Sequence, residues 1–140
     1  MMTKYDAYGT ELYKGTGTGT AYVQVTNISG PSISLDTTDV TSHDSTSAWE
    51  EVVATILRSG EVTMDIVYDP ATATHKNAGD GLLADLISRT AIPIALVFSD
   101  AGTTTWTFSA FVTGFEPSMP VDGALTASVT FKPTSVVTLV

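Results

Sequence analysis

The sequence contains no cysteine, and this absence removes several kinds of chemistry at once. Without thiols there is no disulfide, no thiolate nucleophile and no zinc–thiolate site. Histidine is also scarce, since only His43 and His75 occur. The carboxylates between residues 36 and 51 are numerous enough for calcium but lack EF-hand spacing, and no HExxH pattern exists. The sequence therefore predicts no metal site and no cofactor.

Basic residues are the second deficit. The chain has 6 Lys and Arg against 15 Asp and Glu, which gives a net charge of −9. A protein that grips nucleic acid needs Lys and Arg to displace counterions from phosphates, so this class is disfavoured. Charged residues make up only 15% of the chain, and Thr and Ser take their place. That composition is typical of strands and of contact surfaces.

Long apolar runs are missing as well. The longest, Ala91–Phe98 ("AIPIALVF"), is too short to cross a bilayer, and no apolar run follows Lys4 as in a secretory signal. We therefore expect a protein made in a cytoplasm, with no membrane partner. At 140 residues and 43% hydrophobic content, the chain predicts a single domain over 1–140 with an ordinary core.

Alternating strand patterns dominate what is present, and only one helical pattern occurs. The helical pattern is Asn77–Thr90, in which Asp80 is placed to cap the start. Its apolar stripe consists of Leu82, Leu83, Leu86 and Ile87. About seven strands are predicted, at Ala21–Ile28, Ser32–Thr41, Trp49–Leu57, Glu61–Asp69, Ile92–Phe98, Thr104–Pro117 and Gly123–Pro133. The fold class is mainly β, a sandwich or barrel of about seven strands with one flanking α-helix.

The remaining motifs do not support an enzyme. "GTGTGT" (15–20) has no Lys-Ser/Thr after it and no helix behind it, so it is not a phosphate loop. With "KGTGTGT" at its end, the segment 1–20 is predicted to be a flexible, irregular N-terminal arm. No Ser lies in a GxSxG elbow, and a glycosidase cleft is hard to build from a chain of this size. We predict no catalytic residues.

The order of motifs resembles a known family. "DVTSHDS" (39–45) is followed by "WEE" (49–51), "SGEVTMDIVYDP" (59–70), a His, a Leu-rich helix and "FSAFVTGFEPSMPVDGALTASVTFKP" (108–133). Over residues 21–133 this resembles the major tail tube proteins of long-tailed, siphovirus-like phages and of phage-like gene transfer agents. One departure is "VVATILRSG" (52–60), where many relatives have a Gly-rich turn that contains Pro.

The resemblance implies a structural virion protein. Proteins of this kind form homohexameric rings that stack by self-assembly into a hollow tail tube, which conducts DNA from the capsid to the host cell without binding it specifically. The implied partners are tape measure, tail terminator and distal tail proteins, and the implied place is the virion tail after synthesis in the host bacterial cytoplasm. Two alternatives stay open: a ring-forming secretion-tube or tail-terminator protein, and a virion decoration or carbohydrate-binding β-sandwich.

Two groups of residues are predicted to have roles in such a tube. The long polar loop 39–52 is expected to reach the neighbouring ring, with short polar side chains and an aromatic anchor. Its contact residues are Asp39, Ser42, His43, Asp44, Trp49 and Glu50. An acidic wall would repel the phosphates of DNA and leave the tube clear. The acidic residues expected to face the lumen are Glu61, Asp65 and Asp69.

Overall fold

A computed structural model describes residues 4–15, 20–79, 81–134 and 136–139. These residues contain ten strands, one α-helix (α1, Leu82–Ser88) and one 3₁₀ turn (Thr46–Ala48). The strands are β1 (Glu11–Lys14), β2 (Thr20–Ala21), β3 (Val25–Ser29), β4 (Ile33–Asp39), β5 (Val52–Ser59), β6 (Val62–Val67), β7 (Ile92–Val97), β8 (Thr105–Ser118), β9 (Thr126–Pro133) and β10 (Thr138–Leu139). The predicted mainly β class with one helix is confirmed.

Strand β8 joins two halves of one large sheet. Its first part pairs with β7 up to Ala110, and its second part pairs with β9 from Ala110 to Ser118. The first half-sheet consists of β2, β1, β7, the start of β8 and β10, and the second half-sheet consists of the rest of β8, β9, β6 and β3. All the pairings are antiparallel. The two half-sheets share one core, which makes the body a sandwich.

The core follows from strict alternation in the central strands. In β6 the inward side chains of Val62, Met64 and Ile66 are fully buried, while Thr63 and Asp65 point outward. Side chains from both half-sheets fill the same cluster, including Leu12 and Ile94 from the first half-sheet. Burial of this apolar surface is the main driving force for folding of the body.

Helix α1 is shorter than predicted, and Leu82, Asp85 and Leu86 lie on its buried side. Leu82 is fully buried, and the Asp85 carboxylate forms a salt bridge with Lys14 of β1, with the Lys14 Nζ 2.9 Å from Asp85 Oδ2. The prediction that Ile87 belongs to the buried stripe is wrong, because its side chain is exposed. The predicted cap, Asp80, lies outside the described residues.

The segment 1–20 is only partly as predicted. Glu11–Lys14 is strand β1, paired with β7 along its whole length, and Leu12 is buried in the core. The prediction of an irregular segment is therefore wrong there, because the alternation in "ELYK" is too short to be recognised without its partner strand. Residues 1–3 and 16–19 lie outside the described residues.

A separate hairpin leaves the body between β3 and β6. Strands β4 and β5 pair with each other and with no other strand among the described residues. The predicted strand Trp49–Leu57 begins three residues later than expected, at Val52. Gly30, at the base of the hairpin, has φ +95°, and a Cβ there would stand 2.5 Å from the Glu61 carbonyl oxygen. Only glycine fits this point, where the chain leaves the body.

Candidate self-assembly surfaces

The two faces of the β4–β5 hairpin differ in their share of apolar side chains. Paired residues share a face, and the pairs Leu35–Leu57 and Asp39–Val52 flank a β-bulge that keeps them on the same side. The opposite face carries the Ser34–Arg58 and Thr38–Val53 pairs and an ion pair between Asp36 and Arg58. We call the first side the apolar hairpin face. Its apolar members are Ile33, Leu35, Val52, Ala54 and Leu57, and the register places Thr37, Asp39 and Ser59 on the same side.

The apolar hairpin face is exposed along its whole length. Leu57 is 74% exposed and Leu35 is 52% exposed. An isolated two-stranded hairpin is marginally stable in water unless a further layer packs on it. Exposed single apolar residues are ordinary, but a continuous apolar strip marks an interaction site. The hairpin therefore has the form of an element that is completed by another surface.

Loop 40–51 at the tip of the hairpin is closed by its own hydrogen bonds. The Thr41 N–H donates to the Asp39 carboxylate at 2.8 Å, and the Glu51 N–H donates to the Thr41 hydroxyl at 2.8 Å. The Ser42 N–H donates to the Ser45 hydroxyl at 3.0 Å. Hydrogen bonds from Thr41 lower the pKa of Asp39. The short polar side chains predicted to make contacts between rings thus first order their own loop.

All six predicted contact residues of the loop are exposed. Asp39, Ser42, His43, Asp44, Trp49 and Glu50 lie on the projecting tip. Trp49 is 74% exposed, although it is the largest side chain of the tip. The structure therefore brings these residues together on one accessible element, and their role in contacts stays a prediction.

The outward face of the second half-sheet is rich in hydroxyl groups; we call it the polar face. Thr63 lies opposite Thr130, and Asp65 lies opposite Ser128. Of the acids predicted to line a lumen, only Asp65 lies on this face. Glu61 precedes β6 and is exposed in the turn before it.

Asp69 lies beyond the end of β6 and stabilises the next turn. Its carboxylate accepts the Ala71 N–H at 2.9 Å. This bond and one from the Thr72 hydroxyl lower the pKa of Asp69. The carboxylate is therefore ionised at neutral pH and stabilises the turn that follows β6.

Glu116 is a second acid of the polar face that the sequence pattern did not single out. The pairings place Asn27, Asp65, Ser128 and Glu116 in one row across β3, β6, β9 and β8. Strict alternation from Phe108 and Ala110 would turn Glu116 inward. A register shift between Val112 and Gly114 reverses the alternation and turns Glu116 outward.

The two histidines lie in different environments, since His43 is exposed on the hairpin tip and His75 lies in the body. His75 is fully buried, accepts the Asp69 N–H on Nδ1 at 3.3 Å and donates from Nε2 to the Val23 carbonyl oxygen at 3.0 Å. It therefore has a structural role and connects the loop before α1 to the chain before β3. Among the described residues, no group of three or more His, Cys, Asp or Glu is arranged to hold a metal ion.

Solved structures similar to the chain come from phage-like tails and injection systems. A chain in the virion of a native gene transfer agent particle matches with a TM-score of 0.77 and 11% identity over 98% of this chain and 99% of that one. A chain from the tail of an empty gene transfer agent particle with C6 symmetry matches at 0.68 and 14%, over 94% and 93%. A chain from the sheath/tube terminator of an extracellular contractile injection system matches at 0.72 and 19%, over 99% and 97%. The chain shares its fold with these chains from tail particles and an injection system.

Sequence comparison adds nothing to this fold match. No protein-family model matches the chain, and no curated protein sequence matches it. In the described part of the chain, no helix is both long enough and apolar enough to span a membrane.

Proposed function

We propose that the protein is a structural subunit of a hollow tail tube in a virion-like particle. Six copies form a ring, rings stack through the β4–β5 hairpin, and DNA passes through the lumen without specific binding. The subunit has no catalytic role. The fold supports this proposal, because chains with it occur in a gene transfer agent tail with C6 symmetry and in injection-system tubes.

The apolar hairpin face is the observation that carries the proposal. A hairpin that leaves the body and exposes Leu35 and Leu57 gains stability only when another surface covers it. Burial of one such side chain is worth about 1.5–3 kcal/mol. A ring-to-ring contact repeated around six copies multiplies this gain. The polar tip, with Trp49 and the short side chains around it, supplies hydrogen bonds to the next ring.

The polar face supplies the wall of the lumen. Its hydroxyl groups and the row with Asp65 and Glu116 offer little to bind phosphate, and the two carboxylates repel it. DNA carries one negative charge per about 1.7 Å of its axis, so even weak attraction along a long tube would add up and slow transit. Lys132 is the one basic side chain that the register places on this face among the described residues.

The test is assembly of a variant with a polar hairpin. We expect L35S/L57S to fold as a subunit, because both side chains are exposed, and to form no tubes in negative-stain electron microscopy. The matched control is I87S, which removes an exposed apolar side chain from α1 and should leave tubes intact. Wild-type protein that stays monomeric at every concentration, or tubes of normal length from L35S/L57S, would contradict the proposal.

The loop at the tip is tested separately by a deletion. Removing Thr41–Ala48 shortens the tip but leaves both strands of the hairpin. We expect this variant to keep the melting temperature of the free subunit and to fail to stack. Normal tubes from this variant would show that Ser42, His43 and Asp44 make no necessary contact between rings.

A tube terminator is the second candidate, because chains with this fold also occur in a tube terminator and in a tube-terminating cap. A terminator forms rings that do not extend. The length distribution of the assemblies separates the two functions: tubes of many rings support a tube subunit, and single rings or pairs of rings support a terminator.

A further inference from the structure

Consecutive short-range hydrogen bonds fold the loop at the tip of the β4–β5 hairpin. The Ser45 N–H donates to the Ser42 carbonyl oxygen at 3.1 Å, and the Ala48 N–H donates to the Ser45 carbonyl oxygen at 3.3 Å. The Trp49 N–H donates to the Thr46 carbonyl oxygen at 3.1 Å. Each of these bonds joins residues three apart and closes a tight turn. The chain from Ser42 to Trp49 is therefore folded as successive turns and not as an open loop.

Two successive residues in these turns have left-handed backbone. Ser47 has φ 55° and ψ 29°, and Ala48 has φ 59°. In this region the Cβ of an L-residue crowds a neighbouring carbonyl oxygen, so glycine and, less often, asparagine or aspartate occupy it. Among the described residues, the three other non-glycine residues with positive φ occur singly: Gln24, Arg89 and Thr103. Backbone strain persists only where the surrounding structure enforces it, and it is concentrated at functional sites.

Trp49 follows the strained pair directly. Its backbone is extended, with φ −72° and ψ 141°, so the chain leaves the left-handed conformation at this residue. The Trp49 side chain is 74% exposed, although Val52, three residues away on the apolar hairpin face, is itself 51% exposed. An indole that lay against this apolar surface would reduce the contact of both groups with water. The turns instead leave most of the indole surface in solvent.

We propose that Ser47 and Ala48 are positioning residues, whose left-handed backbone holds the Trp49 side chain away from its own hairpin so that it enters a contact with a second copy. Tryptophan is among the side chains that dominate the binding energy when they are buried at the centre of a contact. A loop that is already held in its bound conformation loses less conformational entropy on association. The strain at Ser47 and Ala48 is offset in the assembly, where Trp49 is buried.

The partner is a second copy because Trp49 lies at the end of the same hairpin that exposes Leu35 and Leu57. A copy that covers the apolar hairpin face as far as Val52 comes within three residues of Trp49. The inference rests on the proposed function and deepens it, because it assigns the contact at the tip to one side chain and to the backbone that presents it.

Substitutions at Ala48 test the role of its backbone. Glycine and asparagine adopt left-handed backbone with little strain, whereas β-branched valine is strongly disfavoured there. We expect A48G and A48N to form tubes at the same protein concentration as wild type or at a lower one. A48V should need about tenfold more protein or more. The matched control is A71V, which should assemble as wild type does, because Ala71 is exposed on the body and its backbone is not left-handed.

A double variant tests whether Ala48 acts through Trp49. W49A removes the anchor and should raise the concentration needed for assembly at least as much as A48V does. Because A48V acts only by misplacing the indole, A48V/W49A should assemble no worse than W49A. Additive effects of the two substitutions would contradict the positioning role. Assembly of A48V at the wild-type concentration would also contradict it, as would an A48G variant that is impaired as much as A48V.

The fluorescence of Trp49 gives a second readout. The difference between the spectra of wild type and W49F isolates the emission of Trp49 from that of Trp106, at concentrations where both proteins are free or both are assembled. We expect Trp49 to emit at long wavelength and to be quenched by acrylamide in the free subunit. After assembly its emission should shift to shorter wavelength and escape quenching. Equal quenching of Trp49 in the two states would overturn the inference.

The outcomes separate this inference from the proposed function. If wild type forms tubes and L35S/L57S does not, while A48V assembles as wild type does, only the role of Ser47 and Ala48 fails. If wild-type protein forms no tubes at any concentration, the proposed function fails and this inference fails with it.

Discussion

The body and the β4–β5 hairpin are built from similar residues but have opposite environments. In the body, Val62, Met64 and Phe131 are fully buried between two half-sheets. In the hairpin, Leu35 and Leu57 are exposed although they pair in the same antiparallel manner. Backbone pairing alone gives little net stability, so burial decides whether a strand pair persists. We therefore expect the body to fold by itself and the hairpin to need a second surface for its stability.

The largest expected difference in stability is between the truncation of an apolar side chain in the body and the truncation of one in the hairpin. We expect F131A to destabilise the subunit by about 3–5 kcal/mol, because it leaves a cavity in the core. L57A should change the stability of the free subunit by no more than about 0.5 kcal/mol, because its side chain is already in water. Urea unfolding measures both. For assembly we expect the opposite order, because L57A removes a contact between copies. An L57A variant that forms tubes as well as wild type would contradict this expectation.

A smaller difference in stability is expected between two ion pairs, one in the body and one in the hairpin. Lys14 and Asp85 are largely buried in the body, with 18% and 10% of their side chains exposed, whereas Arg58 and Asp36 in the hairpin are 60% and 41% exposed. Asp85→Asn removes the buried carboxylate of the first pair and should cost about 3 kcal/mol. Asp36→Asn should cost less than about 1 kcal/mol. Urea unfolding measures both free energies. Equal losses of stability in the two variants would contradict the claim that burial sets the strength of each pair.

The smallest effect is a difference in pH dependence. Thr104 lowers the pKa of Asp100 in the body, below its ordinary value of 3.8. The unfolded chain then binds more protons as the solution becomes acid, so the stabilisation is complete above pH 3.8 and is lost as pH falls through the lower pKa of the folded state. Asp100→Asn removes this contribution. The melting temperatures of wild type and D100N should therefore converge between pH 7 and pH 3.

The same pH experiment can be done on Asp39, which belongs to the hairpin. Asp39 has a pKa lowered by Thr41, but its hydrogen bonds hold only the projecting loop. We expect D39N to leave the melting temperature of the free subunit unchanged at both pH values. A D39N variant that lost as much stability as D100N would show that the hairpin folds together with the body.

The sequence predicts the fold well where local patterns are complete. The alternation of β6 and β9 is confirmed, because the inward residues are apolar and the outward residues other than Val67 are polar. Strand β6 ends at Val67, two residues before the predicted end at Asp69. Prediction is wrong where long-range packing decides. Leu12 is a core residue only because β7 lies beside it, and Ile87 is exposed because α1 turns it away from the sheet.

The candidate surfaces were harder to predict for physical reasons. The bulge after Val112 reverses the side-chain alternation of β8, so Glu116 cannot be assigned to the polar face from the sequence. The apolar hairpin face has the pattern of a buried strand, and only the topology shows that nothing in the chain's described part covers it. Asp69, which was predicted to face a lumen, stabilises the turn after β6 through its hydrogen bond with Ala71.

Hydrogen exchange of the free and the assembled protein tests the central claim most directly. Amides of β4 and β5 should exchange rapidly in the free subunit and become strongly protected after assembly, because the apolar hairpin face is then covered. Amides of β6, β8 and β9 should be protected in both states. Equal exchange of the hairpin before and after assembly, or full protection of the hairpin in the free subunit, would contradict the claim that a second copy completes it.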